Sequence, residues 1–365
     1  MKRTHTDIRG KNVAVFIPNW IGDAAMCTPA LRALRKQVGA AGRITAVLRP
    51  YVADVLAGTR WTEEQILCDR HSKNPAERAA SVVKRMRRER FDAVVLLTNS
   101  FRAAGMAWLS GAPIRAGYVR NARGGLLTHK LRYPVAWGRR LPMPCIDEYL
   151  NIVYCLGCDP EPPRLELATL ASDESAADAV WNKHQLPSGD RVIILNSGGA
   201  YGAAKLWPSE YFGELARRIA DELGHSVLVI CGPAERQVAR EIVAHAAHPA
   251  VVHLADDYAS VGLSKACIRR SRLLVTTDSG PRFFGIAFGL PVVTLFGPTR
   301  IDWTRTHFSG EMCLQHAVPC GPCGRRQCPL GHHECMRALS VARVFAAVSQ
   351  QLEANRGDWR ARGAA

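Results

Sequence analysis

The sequence lacks the long apolar runs that membrane-spanning and exported proteins carry. Nowhere in its 365 residues do eighteen apolar residues follow one another, and the opening MKRTHTDIRGKN contains no apolar segment of a signal peptide. We therefore expect a soluble, cytoplasmic protein. In such a compartment the twelve cysteines are expected to be reduced thiols rather than a disulfide framework.

Two nucleotide-binding fingerprints are also missing. No G-x-G-x-x-G follows the first predicted strand, so a dinucleotide-dependent oxidoreductase has little support, and the P-loop pattern G-x-x-x-x-G-K-[ST] is absent. The sequence has no named nucleic-acid motif and no interleaving of aromatic with basic residues. We therefore predict no nucleic-acid partner.

Acidic residues are absent from one long stretch of a basic chain. The formal net charge is +16, which predicts an anionic partner without distinguishing nucleic acid, lipid and phosphorylated sugar. Residues 98–145 contain no Asp or Glu but eight basic residues: Arg102, Arg115, Arg120, Arg123, Lys130, Arg132, Arg139 and Arg140. Glycine and proline turns in this stretch favour binding loops over one amphipathic helix. A second basic run, residues 84–90, is interpreted as a solvated helix face.

Strands and helices alternate twice along the chain, which predicts an α/β protein with two Rossmann-like domains and parallel sheets. The predicted strands cover 13–17, 44–48, 93–97, 114–118, 192–195, 227–230, 251–252, 273–276 and 291–296. The predicted helices cover 28–38, 209–223, 234–247, 259–268 and 340–352. The chain is longer than one α/β domain usually is, and a proline-rich segment predicts a linker within residues 158–170.

Residues 273–299, LLVTTDSGPRFFGIAFGLPVVTLFGPT, combine a strand, a turn, a helix and a second strand. In the turn, Ser279 is placed to cap the helix and Pro281 falls near its first turn. A helix that begins there directs N–H groups to the carboxyl edge of the sheet, where α/β proteins bind phosphate. An ordinary capped unit with Asp278 at the surface is the alternative, and a second turn at Gly297 favours a binding site.

Three other patterns carry candidate chemistry. Asp23 in NWIGDAAMCTP could accept a proton, or could simply cap a helix. The glycine-rich loop 196–208, NSGGAYGAAKLWP, would let the backbone approach an anion, with Lys205 as a compact positive charge or as an ordinary solvent lysine. Glu235 in CGPAE could accept hydrogen bonds from a ribose, or could favour a helix N-terminus.

A cysteine-rich segment, Cys313 to Cys335, leaves its chemistry open. Cys320, Cys323, Cys328 and Cys335 with two histidines have spacing compatible with zinc. The segment lacks the duplicated C-x2-C of a zinc ribbon, so packed thiols or disulfides remain the alternatives.

Several of these strings together resemble the ADP-heptose:lipopolysaccharide heptosyltransferases of glycosyltransferase family 9. The DSGP turn, the GLPVV strand and the FGPT turn match the family's D-S/T-G-P-x-H, G-x-P-V-V and F-G-P-T elements. The loop 196–208 is similar to the family's P-G-A-x-x-G-x-x-K-x-W-P, closest to the heptosyltransferase II branch. Phe283 stands where the family usually has histidine.

The resemblance implies a GT-B architecture, in which two Rossmann-like domains face a central cleft. It implies an acceptor domain over 1–165, a donor domain over 166–352, and a tail, 353–365, that returns to the first domain. The implied reaction is inverting transfer of heptose from ADP-heptose to the inner core of lipopolysaccharide, without a metal or other cofactor. There are two alternatives. The donor could be another nucleotide sugar, or the chain could be a catalytically silent protein that binds a sugar nucleotide or a glycolipid.

The resemblance also implies roles for individual residues. Asp23 would be the general base, Lys205 would bind the donor pyrophosphate, and Glu235 would contact the nucleoside. The turn of Asp278, Ser279, Gly280 and Pro281 would hold the rest of the donor. Within the acid-free stretch, Arg120 and Arg123 would bind an anionic glycolipid acceptor, with peripheral contact at the cytoplasmic face of the inner membrane.

Overall fold

A computed structural model of the chain describes residues 6–199 and 201–355. The chain divides into two compact units. One contains the residues up to Leu167 together with Asp302–Thr306, and the other contains Ala168–Ile301 and the residues from His307 onward. Most of the tail predicted to join the first domain, residues 356–365, lies outside the described residues.

The first unit is built on a six-stranded parallel sheet. Its strands are β1 (Asn12–Phe16), β2 (Arg43–Leu48), β3 (Glu64–Leu67), β4 (Ala93–Leu96), β5 (Ile114–Tyr118) and β6 (His129–Leu131). They lie in the order β3-β2-β1-β4-β5-β6. Val13 in β1 pairs with Ile44 on one side and Ala93 on the other. The strand order therefore reverses between β1 and β4, the place where α/β sheets bind ligands.

Helices and one small hairpin complete this unit. Its helices are α1 (Ile21–Met26), α2 (Thr28–Val38), α3 (Pro50–Leu56), α4 (Ala79–Glu89), α5 (Phe101–Leu109) and α6 (Cys145–Tyr154). The hairpin pairs β7 (Val135–Ala136) with β8 (Arg139–Arg140) in antiparallel fashion. Residues 18–23 were predicted as a turn, but the last three are helical because the chain enters α1 directly after Trp20.

The second unit repeats the same strand order. Its strands are β9 (Val192–Asn196), β10 (Ser226–Ile230), β11 (Val251–His253), β12 (Leu273–Thr277), β13 (Val292–Phe296) and β14 (Glu311–Gln315). They lie in the order β11-β10-β9-β12-β13-β14, and all pairs are parallel. Here the order reverses between β9 and β12, so a ligand is expected at their carboxyl ends.

Seven helices of the second unit cover this sheet: α7 (Ala171–Lys183), α8 (Ser209–Leu223), α9 (Arg236–Ala246), α10 (Val261–Arg270), α11 (Gly280–Ala287), α12 (Glu334–Arg337) and α13 (Val341–Ala354). Trp207 fills the core beside Phe212, with the two rings edge to face at 4.8 Å, and its indole N–H donates to the Leu339 carbonyl at 2.8 Å. Trp207 thus fixes the end of the glycine-rich loop. Among the described helices, none has both the length and the apolar character needed to cross a membrane.

Candidate functional site

The loops at the carboxyl edge of the second sheet carry most of the predicted donor-binding residues. The chain leaves β9 into the loop with Lys205, leaves β10 into the turn with Glu235, and leaves β12 into the turn with Asp278. Asn196 and Thr276 are paired neighbours at the ends of β9 and β12. The parallel arrangement therefore brings these loops to one edge, as expected for strands that end together.

Lys205 and Asp278 form a buried ion pair at this edge. The Lys205 ammonium lies 2.7 Å from Asp278 Oδ2 and donates to the Asp278 carbonyl at 2.8 Å. Lys205 is only 8% exposed and Asp278 5%, so Lys205 is not a solvent lysine and Asp278 is not a surface turn residue. Thr299, from the second turn, donates to the same carboxylate oxygen at 2.7 Å. Burial alone would raise the pKa of Asp278, but Lys205 and Arg282 outweigh it and lower that pKa.

Arg282 extends this pair into a chain of four charges. Its side chain is fully buried, with one guanidinium nitrogen 3.2 Å from Asp278 Oδ1. The same guanidinium forms a two-point contact with Glu311 at 2.5 and 3.0 Å. Burial by itself lowers the pKa of Arg282, and the Glu311 carboxylate reverses this and raises it. Two cations and two anions thus balance, which is the condition for burying such groups.

Ser279 stands at the start of α11, but its hydroxyl does not cap the helix. The Asn196 side-chain amide donates to this hydroxyl at 2.8 Å, and Thr276 Oγ1 lies 3.2 Å from it. The prediction of a side-chain cap was therefore wrong, because a neighbouring strand supplies a competing partner. Gly280 and Pro281 form the first turn of α11, which begins at the carboxyl edge of the sheet. The N-terminus of α11 therefore lies at this carboxyl edge, the place at which α/β proteins commonly bind phosphate.

Glu235 contacts the glycine-rich loop closely. Its carboxylate accepts the Gly232 N–H at 2.7 Å. A Cβ placed on Gly198 would lie 2.2 Å from the Glu235 carboxyl carbon, so a larger residue there would force the carboxylate to move. Thr277 also donates to the Gly198 carbonyl at 2.9 Å. The structure thus brings Glu235, Lys205 and the turn after β12 to one edge.

In the first unit, Asp23 lies on α1, after the carboxyl end of β1. The Tyr149 hydroxyl on α6 donates to Asp23 Oδ1 at 3.0 Å. Burial, and then the charge of Asp23, raise the pKa of Tyr149 well above its ordinary value, so the phenol stays protonated. The protonated phenol therefore donates to Asp23 and holds its carboxyl group in position. Nothing in the local sequence marks Tyr149 as a partner of Asp23, because the two residues are 126 positions apart.

The two predicted acceptor arginines differ in environment. Arg120 is exposed in the loop after β5. Arg123 is fully buried, and its guanidinium donates to the Tyr118 carbonyl at 2.8 Å and to Asn99 Oδ1 at 2.9 Å. Burial lowers the pKa of Arg123 to about 10. In this structure Arg123 holds the loop together, and its predicted contact with an acceptor would require these hydrogen bonds to break.

Comparison with known proteins decides the family. Residues 79–334 match the family model described as glycosyltransferase family 9 (heptosyltransferase), which is more than half of the chain. The chain belongs to glycosyltransferase family 9.

Relatives of this family 9 chain are named as heptosyltransferases. Lipopolysaccharide heptosyltransferase 2 of Escherichia coli K12 is 26% identical over 301 residues, 80% of this chain and 84% of that protein. Lipooligosaccharide heptosyltransferase 2 of a Campylobacter jejuni serotype O:6 strain is 30% identical over 164 residues, 44% of this chain and 51% of that protein. The chain spans about half the length of the Campylobacter relatives that it matches.

Two solved structures share the fold of the family 9 chain. The structure of E. coli ADP-heptose lps heptosyltransferase II superposes with a TM-score of 0.76 at 22% identity, covering 95% of this chain and 100% of that one. The glycosyl transferase family 9 structure from Veillonella parvula gives 0.79 at 23% identity, covering 95% and 99%. The predicted fold class, GT-B with two parallel α/β sheets, is confirmed.

Phe283, at the family's usual histidine position, belongs to the core of the family 9 chain. It is 3% exposed, and its ring lies 4.9 Å from the Arg282 guanidinium carbon. The aromatic face thus covers part of the buried cation, an arrangement that stabilises both groups.

We predict that Phe283→His will not raise turnover and will lower the free energy of unfolding by about 1–3 kcal/mol, because a buried imidazole needs hydrogen-bond partners. Urea unfolding and ADP release measure the two effects. Phe288→His, at a less buried position after α11, is the control for stability. Higher turnover with unchanged stability would contradict the prediction.

The cysteine-rich segment contains thiols only. All twelve cysteines of the family 9 chain are free, and Cys320 Sγ lies 3.8 Å from His332 Nε2. Among residues 6–199 and 201–355, no three or more His, Cys, Asp or Glu side chains are arranged so that they could hold a metal ion. The expectation that the chain needs no metal or cofactor stays a prediction.

Proposed function

We propose that this chain transfers heptose from ADP-heptose to the inner core of lipopolysaccharide, with inversion at the anomeric carbon. The observation that carries the proposal is the buried pair of Lys205 and Asp278 beside the N-terminus of α11 and close to Glu235. These groups match the parts of a nucleotide sugar: a diphosphate, a sugar and a ribose. The similarity to the solved E. coli ADP-heptose lps heptosyltransferase II supports the choice of donor.

Lys205 would neutralise the diphosphate while it remains bound to Asp278. An ammonium has three N–H donors, and the contacts to Asp278 use two of them. Since Lys205, Asp278, Arg282 and Glu311 are together neutral, the negative charge of the leaving ADP would be offset by the remaining lysine donor and by the helix N–H groups. Such fixed donors favour departure of ADP without a metal ion.

Glu235 would accept hydrogen bonds from the ribose hydroxyls. Its carboxylate is held by the Gly232 N–H and lies against Gly198, so its position is fixed before the nucleotide binds. Acidic residues at the end of the second strand of a Rossmann-like unit commonly take this role. Asp278 would hold donor-sugar hydroxyls with the lone pairs that Lys205, Arg282 and Thr299 leave available.

Asp23 would remove the proton from the acceptor hydroxyl as that oxygen attacks the anomeric carbon. The C–O bond to the diphosphate then breaks, and ADP leaves with the bonding electrons. The Tyr149 hydroxyl would keep the Asp23 carboxylate oriented before the reaction. Arg120, in its exposed loop, would contact the phosphorylated inner core at the cytoplasmic face of the membrane.

Titration calorimetry tests the donor. Purified protein should bind ADP and ADP-heptose and should bind UDP-sugars at least tenfold more weakly. Preference for a uridine donor would contradict the heptosyl proposal and support another nucleotide sugar. Binding of ADP-heptose without ADP release, when a deacylated inner-core acceptor is added, would indicate a silent binding protein.

We predict that Gly198→Ala will weaken ADP binding about tenfold, the loss expected for one displaced charged hydrogen-bond acceptor. The new Cβ would meet the Glu235 carboxylate at 2.2–2.5 Å and push it away from the ribose position. Gly199→Ala is the matched control, since its Cβ would meet Ser279 at an ordinary 3.6 Å. Equal losses in both variants would mean that loop stiffness, rather than Glu235, determines affinity.

A further inference from the structure

The hairpin of β7 and β8 ends in an exposed tryptophan. Val135 pairs with Arg140 and Ala136 pairs with Arg139, so Trp137 and Gly138 form the two-residue turn. The Trp137 side chain is 99% exposed, and the hairpin residue Val135 is 62% exposed. The apolar surface of this ring stays in water after folding, so the tryptophan does not add to the stability of the isolated protein.

The turn also holds Trp137 in a strained conformation. Trp137 has φ +53° and Gly138 has φ +72°, both in the left-handed region. Two-residue hairpin turns of this kind favour Asn-Gly or Asp-Gly, since bulky residues rarely adopt positive φ. Strain of this sort persists where function needs the residue. Neither burial nor turn geometry therefore explains a tryptophan here.

The hairpin and the residues just before it carry several basic side chains. Lys130, Arg132 and Arg139 are exposed, and residues 98–145 contain no Asp or Glu. Glu148, on α6, is buried and already binds Arg140 and the Tyr133 hydroxyl. The hairpin therefore presents an aromatic tip on a positively charged surface.

The base of the hairpin is firmly packed. The Arg140 guanidinium lies over the Tyr133 ring at 3.3 Å, and Tyr133 stacks on Tyr118 with ring centroids 4.2 Å apart. The Leu141 N–H donates to the Pro134 carbonyl at 2.9 Å. The tip is thus held outward by a rigid base, so little order has to be gained when it binds a partner.

We propose that the hairpin of residues 134–141 docks the protein on an anionic phospholipid bilayer. Trp137 enters the headgroup region, which tryptophan prefers, and Lys130, Arg132 and Arg139 contact the lipid phosphates. A fully exposed tryptophan beside exposed cations suits a bilayer surface, because the headgroup region takes up an aromatic ring and anionic headgroups attract several positive charges at once. The inference depends on the proposed function in one respect: the proposed acceptor is a lipid that lies in the membrane to which the hairpin would bind.

The other basic surface of this unit is a weaker candidate. Helix α4 exposes Lys84, Arg87 and Arg88, but its sequence contains no aromatic residue, and its Arg85 bonds to Glu64. A surface that binds through its charge alone binds weakly at physiological ionic strength, because salt screens exposed charges. Helix α4 therefore supplies the matched comparison for the hairpin.

Vesicle sedimentation of the full-length protein tests the proposal. Binding to vesicles of phosphatidylcholine and phosphatidylglycerol in equal parts is expected to exceed binding to pure phosphatidylcholine. Trp137→Asn and Arg139→Glu should each lower that binding at least tenfold, because they remove the aromatic anchor and reverse one cation. The controls are Trp108→Ala, at another exposed tryptophan, and Arg88→Glu on α4, and they should change binding less than twofold.

Trp137→Asn separates docking from folding. Asparagine tolerates positive φ, so this variant should keep or raise the urea unfolding midpoint while it loses vesicle binding. Three outcomes would overturn the proposal. Both hairpin variants could bind vesicles as well as the unmodified protein does, the unmodified protein could bind neutral and anionic vesicles equally, or Arg88→Glu could lose more binding than the hairpin variants. ADP release with a deacylated, soluble acceptor is measured in parallel and should be unchanged in these variants. If the unmodified protein binds vesicles but releases no ADP, the proposed function is contradicted and the docking inference is not.

Discussion

Replacing Asp23 by asparagine is expected to lower turnover by about 10²–10⁴-fold, the usual contribution of a general base. Asparagine has nearly the same shape and can still accept the Tyr149 hydrogen bond, but it cannot take a proton from the acceptor hydroxyl. ADP affinity should not change, because the proposed donor-binding residues belong to the second unit. ADP release with ADP-heptose and a deacylated inner-core acceptor measures the effect.

Two further variants distinguish a base from a merely structural carboxylate. Asp54→Asn, at an exposed aspartate on α3, should leave turnover unchanged. Tyr149→Phe removes only the hydroxyl that orients Asp23, so it should lower kcat by less than Asp23→Asn and alter the pH profile. If Asp23→Asn and the unmodified protein release ADP at the same rate, Asp23 is not the base.

Replacing Arg282 by methionine is expected to lower the free energy of unfolding of the second unit by about 3–5 kcal/mol, the usual cost of leaving a buried charge without its partner. Methionine fills a similar volume, so loss of packing is small. The variant removes the two-point contact to Glu311, to which Thr294 also donates, and takes one cation away from Asp278. Urea unfolding monitored by circular dichroism measures the change.

Two control variants test whether the loss of stability in Arg282→Met comes from the unpaired buried charge. The double variant Arg282→Met, Glu311→Met removes both charges and should recover part of the loss. Arg240→Met breaks an exposed pair with Asp256 and should leave the unfolding midpoint nearly unchanged, since water solvates both groups. If Arg282→Met were as stable as Arg240→Met, the four-charge chain would not contribute to the fold.

The central strands could be predicted from sequence because burial makes them continuously apolar. β1, β9 and β12 begin and end within one residue of the predictions. Helix α8 was predicted with its observed bounds, because Pro208 precedes it and Gly224, in the left-handed conformation, ends it. The edge strands β3, β6 and β14 were not predicted. All three are half-exposed, and β3 and β6 have only four and three residues, so their sequences lack the long apolar run of a central strand.

Within the candidate site, contiguous motifs could be found in the sequence and distant partners could not. Lys205 and Asp278 each lie in a recognisable string, but their ion pair joins residues 73 positions apart. Tyr149 and Glu311 act on site residues from other elements, and nothing in their local sequence marks them. Counting charges also treated Arg120 and Arg123 alike, although one is exposed and the other buried.

The Lys205 side chain is already ordered before a nucleotide binds, and this affects which donors the site selects. Its long, flexible side chain has already lost its rotamer freedom during folding, so that entropy loss is not repeated when the donor binds. The carboxylate and the carbonyl of Asp278 bind the same ammonium group, a compact point charge, whereas arginine would bring a planar, forked guanidinium. Lysine at this position therefore favours fast capture of a compact diphosphate over discrimination by shape.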